Sequence, residues 1–230
     1  MSNRNKLQKF AELLGFPNVY ENFHHDDPEL LGENGLPVVR KGVWAAEHFG
    51  NDRPITLELA CGRGEYSLGL ARRFPERSFI GVDIKGARIW KGATTAIEEQ
   101  LDNVAFLRTR IEQIAQFFAP GEVSEIWITF PDPFLKKSKA NRRLTAHRFL
   151  DEYRKVLREG GLVHLKTDDP TLYEFSLEAI GSYEHATILY QDDDIYVKPL
   201  PMPELELKTY YEKMHLAKGR TIKYIRFQLS

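Results

Sequence analysis

The stretch Ile55-Thr56-Leu57-Glu58-Leu59-Ala60-Cys61-Gly62-Arg63-Gly64 decides how the rest of the chain is read. Its first half is an apolar run of strand length, and its second half is a glycine turn. Residues 65–74 follow with apolar side chains at helical spacing, so strand, turn and helix succeed one another without a gap. The next apolar run, Ser78-Phe79-Ile80-Gly81-Val82-Asp83, ends in an acid 19 residues beyond Gly64.

Outward from this unit the alternation continues. Helices are predicted over 87–100, 111–118, 144–158 and 172–180, and further strands over 103–107, 125–130, 162–167, 186–190 and 221–229. Gly160-Gly161 reads as the glycine cap of the helix over 144–158. Strands separated by long helices pair in parallel through right-handed crossovers. The prediction is an α/β fold: a doubly wound, mostly parallel, seven-stranded sheet. The last strand comes after another strand, the proline-spaced connector 199–203 and a helix near 209–218, which suggests antiparallel insertion. Residues 1–50 show little pattern beyond a possible helix at 43–50. They read as a partly irregular N-terminal extension to a domain over 51–230.

Composition narrows the classes. The chain has 230 residues, 42% of them hydrophobic, with 14 Phe and 10 Tyr, which excludes a disordered polymer. One cysteine excludes a disulfide framework and any multi-cysteine metal site, and no metal is expected. No apolar run reaches the ~20 residues of a membrane span, and residues 1–10 are too polar for a signal peptide. A cytoplasmic protein without membrane partners is expected, as monomer or homodimer. The net charge of −1 hides a strong polarity. Residues 136–158 hold nine basic and two acidic side chains and residues 208–226 hold six and one, net +12 against −13 for the remainder. Such a chain can present a basic face to a polyanion.

Glycines at 62 and 64 let the backbone turn tightly beneath a helix N-terminus and approach a ligand, and Asp83 can take the hydroxyls of a ribose. A pyrophosphate would want a third glycine, where Ser67 stands, and would not welcome Glu58. S-adenosylmethionine, with its sulfonium and α-ammonium and no phosphate, fits better. The pattern resembles the class I methyltransferase motifs, a Rossmann-like fold, over roughly residues 54–190.

The fourth strand runs into Phe130-Pro131-Asp132-Pro133-Phe134 and then a basic stretch ending Arg142-Arg143-Leu144. Prolines on both sides stiffen the placement of Asp132, and the carboxyl end of this strand faces the ligand crevice of such sheets. This combination resembles the bacterial tRNA (guanine-N7)-methyltransferase family, over about residues 35–227. Lys166-Thr167-Asp168 and Thr209-Tyr210-Tyr211-Glu212 are similar to two further family motifs. The resemblance implies S-adenosylmethionine as cofactor, tRNA as partner, and methylation of guanosine 46 in the variable loop. It implies cofactor contacts from Glu58, Gly62, Gly64 and Asp83, and a catalytic place for Asp132 beside cofactor and base. RNA-side roles fall to Lys136, Asp168, Thr209 and Glu212. The family often has an acidic or amide residue near the adenine, and Arg110 aligns there. Its usual Trp after the second proline is Phe134 here.

The N7 of guanine carries a lone pair and no proton, so the reaction needs placement rather than a general base. Fixed carboxylates suit the N1–H and N2 donors of guanine, making Asp132, Asp168 and Glu212 candidates. Lys137, Lys139, Arg142 and Arg143 suit backbone phosphates. His24-His25-Asp26-Asp27 reads as an exposed mobile segment rather than a metal site, and Cys61 as a small buried hydrophobe. Alternatives are a class I methyltransferase of another RNA, an RNA-binding protein with a decayed cofactor pocket, and a nicotinamide oxidoreductase; Ser67 and the missing hydride-transfer acid disfavour the last.

Overall fold

Apolar runs with no polar alternation must be covered on both faces, and helices flanking parallel strands provide that cover. The computed structural model describes residues 5–230 and contains this alternation. Residues 1–4 of the expected N-terminal extension, with part of the stretch judged too polar for a signal peptide, lie outside the described residues. The described chain divides after Ala119 into two compact units.

In the first unit, β1 (Val19–Glu21), β2 (Ile55–Leu59), β3 (Ser78–Asp83) and β4 (Val104–Arg108) are parallel, in the spatial order β1-β4-β3-β2. Its helices are α1 (Lys6–Leu13), α2 (Trp44–Glu47), α3 (Glu65–Arg73), α4 (Gly86–Glu98) and α5 (Ile114–Phe117). Every residue of β2 and β3 is buried. The Phe106 ring occupies space that three glycines vacate. A Cβ on Gly81 or Gly92 would sit 2.9 or 2.8 Å from it, and one on Gly64 would overlap it. The glycine turn can therefore lie directly on β4.

The second unit holds β5 (Val123–Thr129), α6 (His147–Arg154), β6 (Leu157–Thr167), α7 (Pro170–Gly181), β7 (Ala186–Asp192), α8 (Tyr210–Ala217) and β8 (Lys223–Leu229). The spatial order is β5-β6-β8-β7, with β5 and β6 parallel and β8 antiparallel to both its neighbours. The expected α/β class, mostly parallel with an antiparallel last strand, is realised. Among the described residues no helix is long and apolar enough to cross a membrane.

Three features differ from the expectation. Among the described residues there are eight strands rather than seven, because β1 adds three residues at the β4 edge. Three residues are too few to show a period, and only pairing makes them a strand. In the N-terminal extension α1 also forms, with Asn5 and Gln8 exchanging side-chain and backbone bonds as a capping box. It is fixed by Trp90 Nε1 of α4 donating to Glu12 Oε2 at 2.7 Å. The third concerns the helix expected over 144–158, which is only α6. Gly160-Gly161 lie inside β6, where residues 158–161 bulge opposite Ser124. Gly160 takes φ +70° there, the left-handed geometry that a bulge requires and a side chain resists.

Candidate functional site

The turn after β2 holds three left-handed residues, Ala60 (φ 57°), Gly62 (58°) and Gly64 (65°). At Ala60 the Cβ makes this conformation costly. A Cβ on Gly62 would meet nothing within 4 Å, so the loop borders open space. The Gly62 amide donates to Asp83 Oδ2 at 2.9 Å, and the Lys85 amide donates to Oδ1 at 2.8 Å. Asp83 is thereby locked against the turn, with acceptor capacity remaining on each oxygen.

Glu58 is 3% exposed. Its Oε2 accepts from both the amide (2.9 Å) and the hydroxyl (2.6 Å) of Ser67, in the first turn of α3. Gly64, the N-cap, has no side chain to offer, and the buried carboxylate supplies the missing acceptor and a charge favourable to the helix dipole. Ser67, which in the sequence stands only where a third glycine would be, thus ties the first turn of α3 to Glu58. Between the two acids, burial first and then the charges of Glu58 and Asp83 push the Cys61 thiol well above its ordinary range. It stays protonated and unreactive.

Arg110 is exposed, at the start of a 3-10 turn after β4. The buried polar groups beside it are others. Asn22 Nδ2 donates to Thr109 Oγ1 (3.1 Å) and Gln113 Oε1 (3.2 Å), and Gln113 Nε2 donates to the His25 carbonyl at 2.8 Å. The exposed segment from His24 to Asp27 is tethered by that bond. Among the described residues no group of three or more His, Cys, Asp or Glu side chains is arranged to hold a metal ion.

In the second unit, the Phe130 amide still donates to Lys166 O of the neighbouring strand, at 2.8 Å. The chain then turns sharply: Phe130 has φ 49° and Phe134 φ 43°. Two bulky residues in the left-handed region cost about 1–3 kcal/mol each, so something must hold the loop. Arg143 does. Its Nε donates to Pro133 O at 2.9 Å, its Nη2 to Phe134 O at 3.1 Å, and its guanidinium lies 4.5 Å over the Phe175 ring. Arg143, expected to contact a phosphate, is 5% exposed, with its fork engaged on loop carbonyls. Asp132 is exposed, and its Oδ1 accepts from the Phe134 amide at 3.0 Å. Lys136, Lys137, Lys139 and Arg142 are exposed on and beside a 3-10 segment.

The end of β6 holds α8 through two clamps. Lys166, fully buried, has its Nζ 2.8 and 2.9 Å from the two oxygens of Glu212 and donates to Leu207 O at 3.2 Å. Tyr196 Oη also donates to Glu212, at 2.5 Å. Burial lowers the Lys166 pKa while Glu212 opposes it, and burial followed by Glu212 raises that of Tyr196. Glu212, expected as a substrate acceptor, is fully buried with both oxygens engaged by Lys166 and one also by Tyr196. The Thr209 hydroxyl, expected on the RNA side, caps α8 by accepting from the Glu212 amide. The second clamp is Asp168, in the bend directly after β6. Its Oδ2 accepts from Arg220 Nη1 at 2.5 Å and lies 3.2 Å from His215 Nδ1, without hydrogen-bond geometry to the latter. The His215 ring stacks on Phe130, centroids 6.1 Å apart. Only the fold reveals this cluster, because His215 and Arg220 belong to no motif read from the sequence.

Residues 52–225 match a family model described as "Putative methyltransferase". A tRNA (guanine-N(7)-)-methyltransferase of Bacteroides thetaiotaomicron is 47% identical over 226 residues, covering 98% of this chain and 86% of that one. One of Christiangramia forsetii is 46% identical over 230 residues, the whole of both chains. Among solved structures, "Structure of an Antibiotic Related Methyltransferase" aligns with TM-score 0.56 over 80% of this chain and 90% of that one; at 16% identity this is a likeness of fold.

Proposed function

The chain belongs to the tRNA (guanine-N(7)-)-methyltransferase family, and from that premise we propose that it methylates guanosine 46 in the variable loop of tRNA, in the cytoplasm, as monomer or homodimer. It has the class I methyltransferase fold, depends on S-adenosylmethionine and transfers a methyl group to guanine N7 of tRNA. Residues 51–230 form the methyltransferase domain in this reading, and residues 1–50 its extension.

The residues of the first unit fit the cofactor. The open space over Gly62 suits a ligand brought close to backbone, and the acids Glu58 and Asp83 suit a ligand with an ammonium and no phosphate. S-adenosylmethionine, when bound, supplies an electrophilic methyl on a sulfonium. In this reading Asp83 accepts from the ribose hydroxyls, and Gly62 and Gly64 give the backbone room. Glu58 acts from behind, by fixing the N-terminus of α3 through Ser67.

The acceptor side falls to the second unit. Asp132 and the second oxygen of Asp168 accept from guanine N1–H and the N2 amino group, each a charge-assisted hydrogen bond. No residue removes a proton from N7, since it has none. As positive charge develops on the ring, these fixed carboxylates stabilise it. Lys136, Lys137, Lys139 and Arg142 meet phosphates and offset the few kcal/mol needed to expose the base.

One observation carries the reading. Asp132 presents an exposed carboxylate on a loop whose Pro133 and Phe134 carbonyls are held by Arg143. The test is to incubate the protein with labelled S-adenosylmethionine and an unmodified tRNA transcript, then digest and map the product. 7-Methylguanosine at position 46 is expected. Another nucleoside refutes the reading, and another position refutes guanosine 46 alone.

A further inference from the structure

Residues 17–48 of the first unit border a cavity of about 400 Å³ that methyl transfer does not use. Tyr20 of β1 lines it at the edge of the sheet, with β4 and β3 between that strand and β2. Neither the Gly62 turn nor Asp83 contributes to its lining. The Tyr20 ring is held from beneath by Trp44, edge to face with centroids 4.8 Å apart.

Three polar side chains meet at one end. Arg40 Nε donates to Tyr20 Oη at 3.3 Å, and the same hydroxyl lies 2.8 Å from His48 Nδ1. A guanidinium cannot accept, so among the described residues the hydroxyl proton has one acceptor, His48 Nδ1. Burial, then the charge of Arg40, lowers the His48 pKa to about 4. The imidazole is therefore neutral at physiological pH, with its proton on Nε2, which becomes a donor. Arg40 Nη1 donates to Val39 O at 3.0 Å. Among the described residues its Nη2 has no acceptor and no carboxylate pairs with it. This end thus offers N–H donors and an uncompensated positive charge on a half-buried side chain. Charges so placed are ordinarily paired, and the partner they suit is an anion.

The walls and rim narrow its chemistry. Pro17, Leu36 and Val38 supply apolar surface, and Leu36 is 62% exposed. Glu33 and Glu47 are exposed at the same cavity, where their charges repel a polyphosphate or an RNA backbone. A single carboxylate matches the planar fork of arginine. The volume of about 400 Å³ lies at the small end of the range for small-molecule sites.

We propose that this cavity binds a small monocarboxylate with an apolar body. Its oxygens accept from Arg40 Nη2 and His48 Nε2, and its hydrocarbon lies against Leu36, Val38 and Pro17. The site stands on the first unit alone and is independent of the function proposed above.

The probe is 4-methylpentanoate, titrated into the isotope-labelled full chain and followed by NMR at the Gly32 amide and Arg40 Nε. S-Adenosylhomocysteine is present throughout, so that the place of the cofactor's own carboxylate is taken. A dissociation constant of about millimolar is expected, ordinary for so small a ligand. 4-Methylpentanol and acetate each lack one half of the ligand and should bind at least about tenfold more weakly. Arg40→Gln should weaken the probe about ten- to hundredfold. Because Arg40 also holds Tyr20, Leu36→Glu is the second variant. Its exposed position spares the fold, and the added charge should cost about tenfold in affinity. No saturable shift by tens of millimolar overturns the proposal, and so does unchanged affinity in either variant. Equal affinity for the alcohol, or for inorganic phosphate, overturns it as well.

Discussion

Replacing Arg143 by Ala separates two roles that its place in a basic run confounds. A phosphate contact would be exposed, and its loss would weaken tRNA binding and flatten the salt dependence by about 0.7–0.9 in log–log slope. The geometry assigns it instead to the Pro-Asp-Pro loop, through two hydrogen bonds to carbonyls at 2.9 and 3.1 Å and a ring contact at 4.5 Å. A hydrogen bond to a charged group is worth about 1.5–3 kcal/mol net. Pro133 and Phe134 are half-buried, so water recovers part of that, leaving about 2–4 kcal/mol. This is comparable to the cost of holding Phe130 and Phe134 in the left-handed region. Without it the loop conformer carrying Asp132 is disfavoured by about thirtyfold or more. The assay is single-turnover transfer at saturating tRNA, beside binding at several salt concentrations. Arg143→Ala should cut transfer at least about tenfold and leave the salt slope alone; Arg142→Ala should do the reverse. Arg143→Lys keeps the charge and loses the fork, and should resemble Ala. Transfer within threefold of wild type with a slope reduced by about one would refute the reasoning.

Asp132→Ala should lower transfer by at least about a hundredfold with the melting temperature and cofactor affinity retained, because its contact within the protein is one bond to its own loop; turnover within tenfold of wild type counts against its role. Lys166→Ala and Glu212→Ala should each destabilise by about 3–5 kcal/mol in urea unfolding, and Lys166→Met with Glu212→Leu by far less, since each single change strands a buried charge. Additivity of the two would show the pair uncoupled. Burial, and then the charge of Arg40, lower His48 from 6.5 to about 4, where its ring accepts or shares a bond with Tyr20 Oη at 2.8 Å. A depressed histidine stabilises the fold above pH 6.5 and loses that contribution as pH falls toward 4, here about 2–3 kcal/mol. His48→Gln should remove that part of the acid slope; identical pH profiles for variant and wild type would show it absent.

The succession of strands and helices, the parallel pairing and the antiparallel last strand were legible because burial on both faces forces apolar runs, and apolar runs are visible in one dimension. The glycine turn was legible for a similar reason: Gly62 and Gly64 take left-handed backbone geometry, a local property that residue type and spacing encode. Where pairing or packing makes an element, the local pattern misled. β1 is too short to show a period, and Gly160-Gly161 fit a helix cap as well as the bulge that β6 forms against β5.

The sequence by itself thus determined the fold class, the family and the stretches that carry the chemistry. Which oxygen or guanidinium is free to meet a ligand was decided by tertiary structure. Arg142 and Arg143 are neighbours of the same type, yet one is exposed and the other is buried against Pro133, Phe134 and Phe175. Asp168 and Glu212 both read as acceptors, yet Glu212 is consumed by Lys166 and Tyr196. Residue type states what a side chain can bond. Which partner reaches it first depends on contacts between segments tens of residues apart, and those exist only once the chain has closed on itself.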